Sequence, residues 1–208
     1  MRNSEKFWDK LSASYEKGVI KNISAYNKTL DATKKHLRTD DIALDLGCGT
    51  GSIALKLAHS VEKITGVDIS SKMIKIAKEK AISQETVNVE FLKSNLFDEK
   101  FTKGSYNVIL AFNILHLLEN TPKVMQRIAE LLKPGGLFIS GTVCLGEDNK
   151  LLRILLPTFN KLNLLPHVNN FNIAELESYM TNETFEIIET EIYFPTPPVR
   201  FIVSKKKI

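Results

Sequence analysis

Short apolar runs alternate with amphipathic stretches along most of this chain. Residues 42–46 and 63–68 have the pattern of buried strands, and the stretches that follow them, 52–59 and 71–81, carry apolar residues at helical spacing. The cycle continues with a third predicted strand over 87–92. Strands that alternate with helices in this way predict a parallel sheet covered by helices on both faces.

Helix caps and two further strands extend the same pattern. Ser70 is placed to cap the helix after the second strand, and Thr121 to cap a helix that stops at the Lys-Pro-Gly-Gly sequence 133–136. Residues 106–112 are apolar on both faces, as a central parallel strand should be. A fifth strand is predicted over 137–143.

The rhythm changes after the fifth strand. We interpret 146–182 as a helical insertion that contains an irregular apolar stretch, 151–165, and a short helix over 172–180. The apolar stretch is compatible with extra core, with a lid over a substrate or with a dimer surface. Residues 185–194 and 199–204 predict two late strands, antiparallel to each other at one edge of the sheet.

Composition and charge narrow the class of protein. With 208 residues, of which 43% are hydrophobic and 25% charged, the chain can bury one sizeable core, so we expect a single domain over 1–208 with a helical cap over 1–40. The net charge of +4 is mild and the lysines at 205–207 read as a solvated tail, so no nucleic-acid partner is expected.

The sequence shows no pattern typical of a membrane span or of a metal site. No apolar run approaches the roughly 18 to 20 residues of a membrane span, and a cytoplasmic location is expected. Cys48 and Cys144 form no C-x-x-C pair, and the histidines lack the spacing of metal ligands, so no metal site is predicted.

A glycine-rich turn, residues 47–51, follows the first strand directly. Ligands of open α/β sheets bind at such carboxyl ends, glycine permits tight turns and close approach of the backbone, and the next helix points free N–H groups at the same place. Asp68 ends the second strand about 20 residues later, where an acidic residue can accept hydrogen bonds from both hydroxyls of a ribose. These features predict a cofactor that carries a nucleoside.

Two kinds of cofactor fit the glycines. The sequence 49–54 satisfies the G-x-G-x-x-A pattern of dinucleotide sites, which leaves an NAD-dependent oxidoreductase as an alternative. Asp45, just before the turn, would repel a diphosphate but attract the ammonium group of an amino-acid moiety. The acid therefore favours a cationic ligand.

The turn resembles motif I of the class I S-adenosylmethionine-dependent methyltransferases, an acidic residue followed by G-x-G-x-G, which stands here as Asp45, Gly47, Gly49 and Gly51. The resemblance covers roughly residues 7–143, and the last two strands more loosely. It implies a Rossmann-like, doubly wound sheet of seven strands that is mostly parallel with an antiparallel last strand and has helices on both faces. It also implies S-adenosylmethionine as the cofactor.

The resemblance further implies which residues bind the cofactor. Asp68 would hold the ribose, Ile69 and Met73 would flank the adenine, and Tyr15 would lie over the cofactor. Asn95 stands where the family usually has Asp, and its amide oxygen accepts a hydrogen bond without charge assistance. The full expected set is Tyr15, Asp45, Gly47, Cys48 through its backbone, Gly49, Asp68, Ile69, Met73, Asn95, Leu96, Phe112 and Asn113.

The implied reaction needs little from the side chains of the enzyme. The methyl group of S-adenosylmethionine is already activated on a sulfonium, so holding the nucleophile in line and excluding water supply much of the rate. His116 is the candidate general base, with a structural histidine as the alternative. Residues 7–15 resemble the N-terminal cap of ubiquinone-biosynthesis members, which implies a small-molecule acceptor. If the apolar stretch 151–165 is a lid, it would cover a lipophilic or aromatic acceptor near the 146–182 insertion.

Other functions are kept open. A cofactor-binding protein without catalysis is a further alternative, and a homodimer is compatible with the apolar stretch 151–165. The sequence lacks the (D/N)-P-P-(Y/F/W) motif of relatives that methylate adenine or amide nitrogen, which disfavours a nucleic-acid acceptor.

Overall fold

All seven expected strands form one sheet in the computed structural model, which describes residues 2–20, 23–147, 167–195 and 197–208. The strands are β1 (Ile42–Leu46), β2 (Lys63–Asp68), β3 (Val89–Lys93), β4 (Tyr106–Phe112), β5 (Leu132–Val143), β6 (Phe185–Pro195) and β7 (Pro198–Lys206). Their order is β3-β2-β1-β4-β5-β7-β6. Strands β1 to β5 pair in parallel, while β7 runs antiparallel to both β5 and β6. The predicted fold is confirmed.

Helices cover both faces of this sheet. They are α1 (Arg2–Ile20), α2 (Ile23–Lys34), α3 (Ser52–Leu57), α4 (Ser71–Ser83), α5 (Thr121–Leu131) and α6 (Ile173–Met180). The core on one face contains residues of α2, α3 and α4, and the core on the other contains residues of α5 and α6. Strand β4 contributes Val108 and Leu110 to the first core and Ile109 to the second, so it is buried on both faces as predicted.

Local capping chemistry sets where two of the helices begin. The Met73 N–H donates to Ser70 Oγ (3.1 Å), which confirms Ser70 as the N-cap of α4. Asn172 and Glu175 form a reciprocal capping box at the start of α6, the short helix expected over 172–180.

The N-cap predicted for α5 is wrong. Asn120, not Thr121, is the cap: it has φ 54°, and its Oδ1 accepts a hydrogen bond from the Lys123 N–H (3.2 Å). Asparagine tolerates this left-handed conformation, whereas a β-branched threonine does not. Thr121 instead occupies the first helical position.

Two strand boundaries also differ from the prediction. Strand β5 begins at Leu132 rather than at 137, because Leu132 pairs with Tyr106 and a shift of register then precedes the pairing of Val108 with Leu137. Strand β5 has more residues between these two pairs than β4 has, so the pairing of the two strands is irregular there. Strand β3 begins at Val89, two residues later than predicted, because Val87 is 96% exposed.

The structure describes only part of the predicted helical insertion over 146–182. The apolar stretch 151–165 lies outside the described residues, and so does most of the proposed insertion. Within the described ranges, no helix has both the length and the apolar character needed to cross a bilayer.

Candidate active site

A cleft lies at the carboxyl ends of β1, β2, β3 and β4, with α1 on its open side. Nine of the twelve residues predicted to bind the cofactor line it: Tyr15, Gly47, Gly49, Asp68, Ile69, Met73, Asn95, Leu96 and Asn113. The fold thus brings together residues from α1, α4 and the ends of four strands. Asp45, Cys48 and Phe112 do not line the cleft.

The turn after β1 requires glycine at two positions. Gly47 has φ +69°, and a Cβ built on it would lie 2.6 Å from Ile114 Cγ1; Gly51 has φ +74°, and its Cβ would lie 2.5 Å from the Phe91 ring. Real Cβ atoms do not approach other atoms so closely, and L side chains rarely adopt this conformation. The turn therefore presents bare backbone to the cleft.

Asp68 fixes the same turn from the neighbouring strand. Its Oδ2 accepts a hydrogen bond from the Gly49 N–H (3.1 Å), and its Oδ1 accepts one from the Ser70 N–H (2.8 Å). Burial raises the pKa of this carboxyl, although the backbone hydrogen bonds act in the opposite direction. The carboxylate thus joins the glycine turn to the start of α4.

Asp45 lies just behind the cleft as a buried acid. It is 3% exposed, and its Oδ2 has no hydrogen-bond partner among the described residues. Burial, reinforced by the charge of Asp68, raises its pKa to about 8. An unpartnered buried carboxyl is costly by itself, and a cation beside it would offset that cost.

Cys48 and Phe112 face away from the cleft. The Cys48 N–H donates to Val67 O (3.0 Å), and its thiol, whose pKa is raised by burial, packs toward Gly66. The ring of Phe112 packs against Gly141, in the core on the α3 and α4 face. Cys48 is thus placed to contribute backbone only, and Phe112 contributes packing.

Helix α1 covers the glycine turn with an aromatic ring. The Tyr15 ring lies 3.4 Å from the position that a Cβ on Gly49 would take, and Trp8 packs edge-on against Tyr15 with ring centroids 6.3 Å apart. Burial raises the pKa of the Tyr15 phenol, with smaller contributions from Asp68 and Asp45. The hydroxyl is therefore neutral at physiological pH.

Polar contacts attach α1 to α4 and β3. Asp9 Oδ1 accepts hydrogen bonds from Ser70 Oγ (2.6 Å) and from the Lys72 N–H (3.1 Å), and the Ser70 contact lowers its pKa most. Glu5 accepts a hydrogen bond from Lys93 Nζ (2.5 Å). Nothing in the local sequence marks Asp9 for this role, because its partners lie more than 60 residues away.

The segment after β4 forms another wall. Asn113 has φ 55°, and its N–H donates to Gly141 O (2.7 Å); Ile114, Leu117 and Leu118 follow and line the cleft. His116 lies in a short 3-10 turn, Leu115–Leu117, within this segment, but its ring does not line the cleft. Its Nδ1 is buried without a partner in the described structure, and burial lowers its pKa to about 4, so the imidazole is neutral.

Sequence reasoning missed much of the apolar lining. In the segment after β4 the sequence singled out Phe112, Asn113 and His116, but not Ile114, Leu117 or Leu118, which line the cleft. Residues of the lining that were not predicted are Ser4, Trp8, Leu46, Val67, Ser94, Phe97, Ile114, Leu117, Leu118, Glu119 and Val124. Across the described residues, no group of three or more His, Cys, Asp or Glu side chains could hold a metal ion.

Comparison with known proteins identifies the kind of site. A family model described as a methyltransferase domain matches residues 37–190. The demethylmenaquinone methyltransferase of Lactococcus lactis is 32% identical over 187 residues, which are 84% of this chain and 71% of that protein. The ubiquinone biosynthesis O-methyltransferase of Albidiferax ferrireducens is 27% identical over 153 residues, 71% of this chain and 60% of that protein.

Solved structures agree on the fold. A SAM-dependent methyltransferase from Methanosarcina mazei superposes with a TM-score of 0.70 at 23% identity, over 85% of this chain and 97% of that one. Together these relatives favour the methyltransferase interpretation over the NAD-dependent alternative. The chain belongs to the methyltransferase domain family, and it is an S-adenosylmethionine-dependent methyltransferase of class I.

Proposed function

We propose that this enzyme transfers the methyl group of S-adenosylmethionine to a small, lipophilic, aromatic acceptor. The observation that carries the proposal is the apolar lining of the cleft around the polar glycine turn, contributed by Trp8, Phe97, Ile114, Leu117 and Leu118. Small-molecule sites combine such apolar walls with a few polar groups that fix orientation. Phe97 is 40% exposed, so a large ring stands at the surface beside the cleft.

The named relatives support the same acceptor class. The Lactococcus lactis protein is named a demethylmenaquinone methyltransferase and the Albidiferax ferrireducens protein a ubiquinone biosynthesis O-methyltransferase, so both names refer to quinones. We infer that a reduced naphthoquinone or benzoquinone, with hydroxyl groups on the ring, is the chemical class that fits the cleft of this protein.

The cofactor fits the residues at the glycine turn. Asp45, just behind the cleft, has a buried, unpartnered oxygen that suits the α-ammonium group, directly or through water, and Asp68 suits the ribose hydroxyls. A Cβ at Gly47 would collide with Ile114. When bound, S-adenosylmethionine supplies a methyl group on a sulfonium. We propose that the Tyr15 ring, which lies over Gly49, covers that positive centre and excludes water.

We keep His116 as the proposed proton acceptor. Its imidazole is neutral, and Nδ1 has no partner in the described residues, so it can accept a hydrogen bond from an acceptor hydroxyl. Because the ring does not line the cleft, this contact requires a change of the His116 side-chain rotamer, while the backbone of the turn stays in place. His116→Gln should lower kcat at least tenfold while the Kd for the cofactor stays within twofold; an unchanged kcat would leave His116 a purely structural role.

A direct assay tests the acceptor class. The purified protein is incubated with S-adenosylmethionine labelled in the methyl group and with 1,4-dihydroxynaphthalene carrying a short prenyl chain, kept reduced. Label should move into the organic-soluble product. Three alternative acceptors are assayed in parallel: catechol, which has no apolar substituent, a mixed tRNA fraction and a peptide mixture. Faster labelling of any of them than of the prenylated quinol would overturn the proposal.

A pair of variants tests the apolar wall. Phe97→Ser should raise the KM for the prenylated quinol about tenfold, which corresponds to the loss of about 1.4 kcal/mol of apolar contact, with little change in the Kd for the cofactor. Val87→Ser is the matched control, because Val87 is 96% exposed and does not line the cleft. Equal effects of both variants would contradict a role for Phe97 in acceptor binding.

A further inference from the structure

Asn169 donates several hydrogen bonds to the short turn that follows β4. Its backbone N–H donates to His116 O (2.6 Å), and its side-chain Nδ2 donates to Leu118 O (2.6 Å) and, at a longer distance, to Leu115 O (3.4 Å). Leu115 O already accepts from the Leu118 N–H within the turn (3.3 Å), so its bond from Asn169 is an additional one. For His116 O and Leu118 O, at the end of the turn, Asn169 supplies donors from some 50 residues further along the chain.

The side-chain amide of Asn169 has a single orientation that fits its neighbours. Nδ2 must face the carbonyl oxygens, so Oδ1 faces His167, whose Nε2 lies 2.9 Å away and acts as the donor. Both ends of the amide are therefore occupied. A flipped amide would place its oxygen against Leu118 O and its nitrogen against a ring N–H.

The turn that Asn169 holds is a wall of the cleft. Ile114, Leu117 and Leu118 line it, and the Ile114 side chain occupies the space beside Gly47, 2.6 Å from the position of a Cβ there. A shift of this turn by a fraction of an ångström would therefore change the contact between Ile114 and Gly47. The position of the wall thus depends on Asn169, which does not line the cleft itself.

We propose that Asn169 is a positioning residue for methyl transfer: it holds the 115–118 turn against the glycine turn, and His167 holds the amide of Asn169. The inference rests on the proposed placement of the cofactor in this cleft. It does not depend on the identity of the acceptor, because the cofactor alone serves as the ligand in its test.

Calorimetric titration with S-adenosylmethionine tests the proposal. Asn169→Ala should raise the Kd about tenfold. Asn169→Asp should do at least as much, because a carboxylate oxygen would then face Leu118 O while the bond to His167 is kept. In acceptor turnover, the KM for the cofactor should rise in the same proportion, with kcat at saturating cofactor within twofold.

Asn182→Ala is the matched control. Asn182 Oδ1 accepts from the Thr184 and Phe185 N–H groups (2.7 and 3.0 Å) and its Nδ2 donates to Tyr179 O (3.1 Å), away from the cleft. This variant should lose stability to urea as Asn169→Ala does, yet keep the Kd for the cofactor within twofold. Hydrogen exchange at residues 115–118 should speed up only in Asn169→Ala.

A double-mutant cycle separates positioning from general destabilisation. His167→Ala should raise the Kd for S-adenosylmethionine about threefold in the wild-type background and not at all in Asn169→Ala, because His167 acts through the amide. Additive effects, a wild-type Kd in Asn169→Asp, or equal changes of Kd in the Asn169 and Asn182 variants would each overturn the proposal.

Discussion

We expect S-adenosylmethionine to release a proton from Asp45 when it binds. This carboxyl is 3% exposed, and burial together with the charge of Asp68 raises its pKa to about 8, so the free protein holds it protonated near neutral pH. An ammonium group beside it favours the carboxylate instead. Tyr15, Tyr26 and Cys48, which interact with the Asp45 charge, have raised pKa values and stay neutral in this range.

The size of the effect follows from two titrations. At pH 7, a carboxyl with a pKa of about 8 is about 90% protonated, whereas an α-amino group with a pKa of about 7.8 lacks its proton in about 14% of molecules. Binding should therefore release about 0.8 proton net. The apparent Kd should fall about eightfold from pH 6 to pH 7, because acid keeps Asp45 neutral, and should level off near pH 8 as the ligand loses its ammonium charge.

Calorimetry at pH 7 in two buffers with different heats of ionisation counts the released protons. 5′-Methylthioadenosine is the control ligand, because it keeps the ribose that Asp68 would bind but lacks the amino-acid moiety. It should release about 0.8 proton fewer than S-adenosylmethionine, and Asp45→Asn should abolish the release and leave S-adenosylmethionine with an uptake of about 0.1 proton. Equal proton release by the two ligands, or a Kd that does not change between pH 6 and pH 7, would refute the assignment of Asp45.

Three further predictions concern the turn, its acid and the cover. Gly51→Ala should lower the free energy of unfolding by about 2 to 4 kcal/mol through strain and collision, whereas Gly104→Ala, with no atom within 4 Å of the new Cβ, should cost only about 1 kcal/mol; equal losses in urea unfolding would contradict this. Asp68→Asn should raise the Kd for the cofactor about 30-fold with an unchanged circular dichroism spectrum, since charged hydrogen bonds contribute about 1.5 to 3 kcal/mol. Asp9→Ala should speed proteolysis within α1. Because the pKa of Asp9 is lowered, its contact with Ser70 should be kept at pH 7 and lost only as the pH falls through that lowered value. An Asp9→Ala variant whose α1 is cut no faster than that of the wild type at pH 7 would count against it.

The parts of the fold that the sequence could predict are those with local causes. The strand that runs into Gly47, the acid that ends β2 and the cap at Ser70 each depend on neighbours within a few residues. The start of β5 could not be predicted, because it is decided by pairing with Tyr106 across the sheet. The N-cap of α5, Asn120, has a left-handed backbone conformation. That conformation depends on how the chain enters the helix, so the sequence alone did not predict it.

The site divides in the same way. Its backbone turn and its two acids are visible in the sequence, whereas the contacts of Asp9 with α4 and of Asn169 with the 115–118 turn join positions more than 45 residues apart. The neutral state of His116 and the raised pKa of Asp45 result from burial by the whole fold. The expected homodimer, the cytoplasmic location and the helical insertion over 146–182 stay predictions.

The cover of the cleft has a consequence for the design of variants. Trp8 and Tyr15 come from α1, which precedes the 37–190 region matched by the family, while the glycine turn and both acids lie inside it. An exchange of residues 2–20 would therefore change the cover of the cleft and leave the glycine turn and both acids in place. Chimeras that swap residues 2–20 between relatives are the natural starting point for redirecting such an enzyme to new compounds.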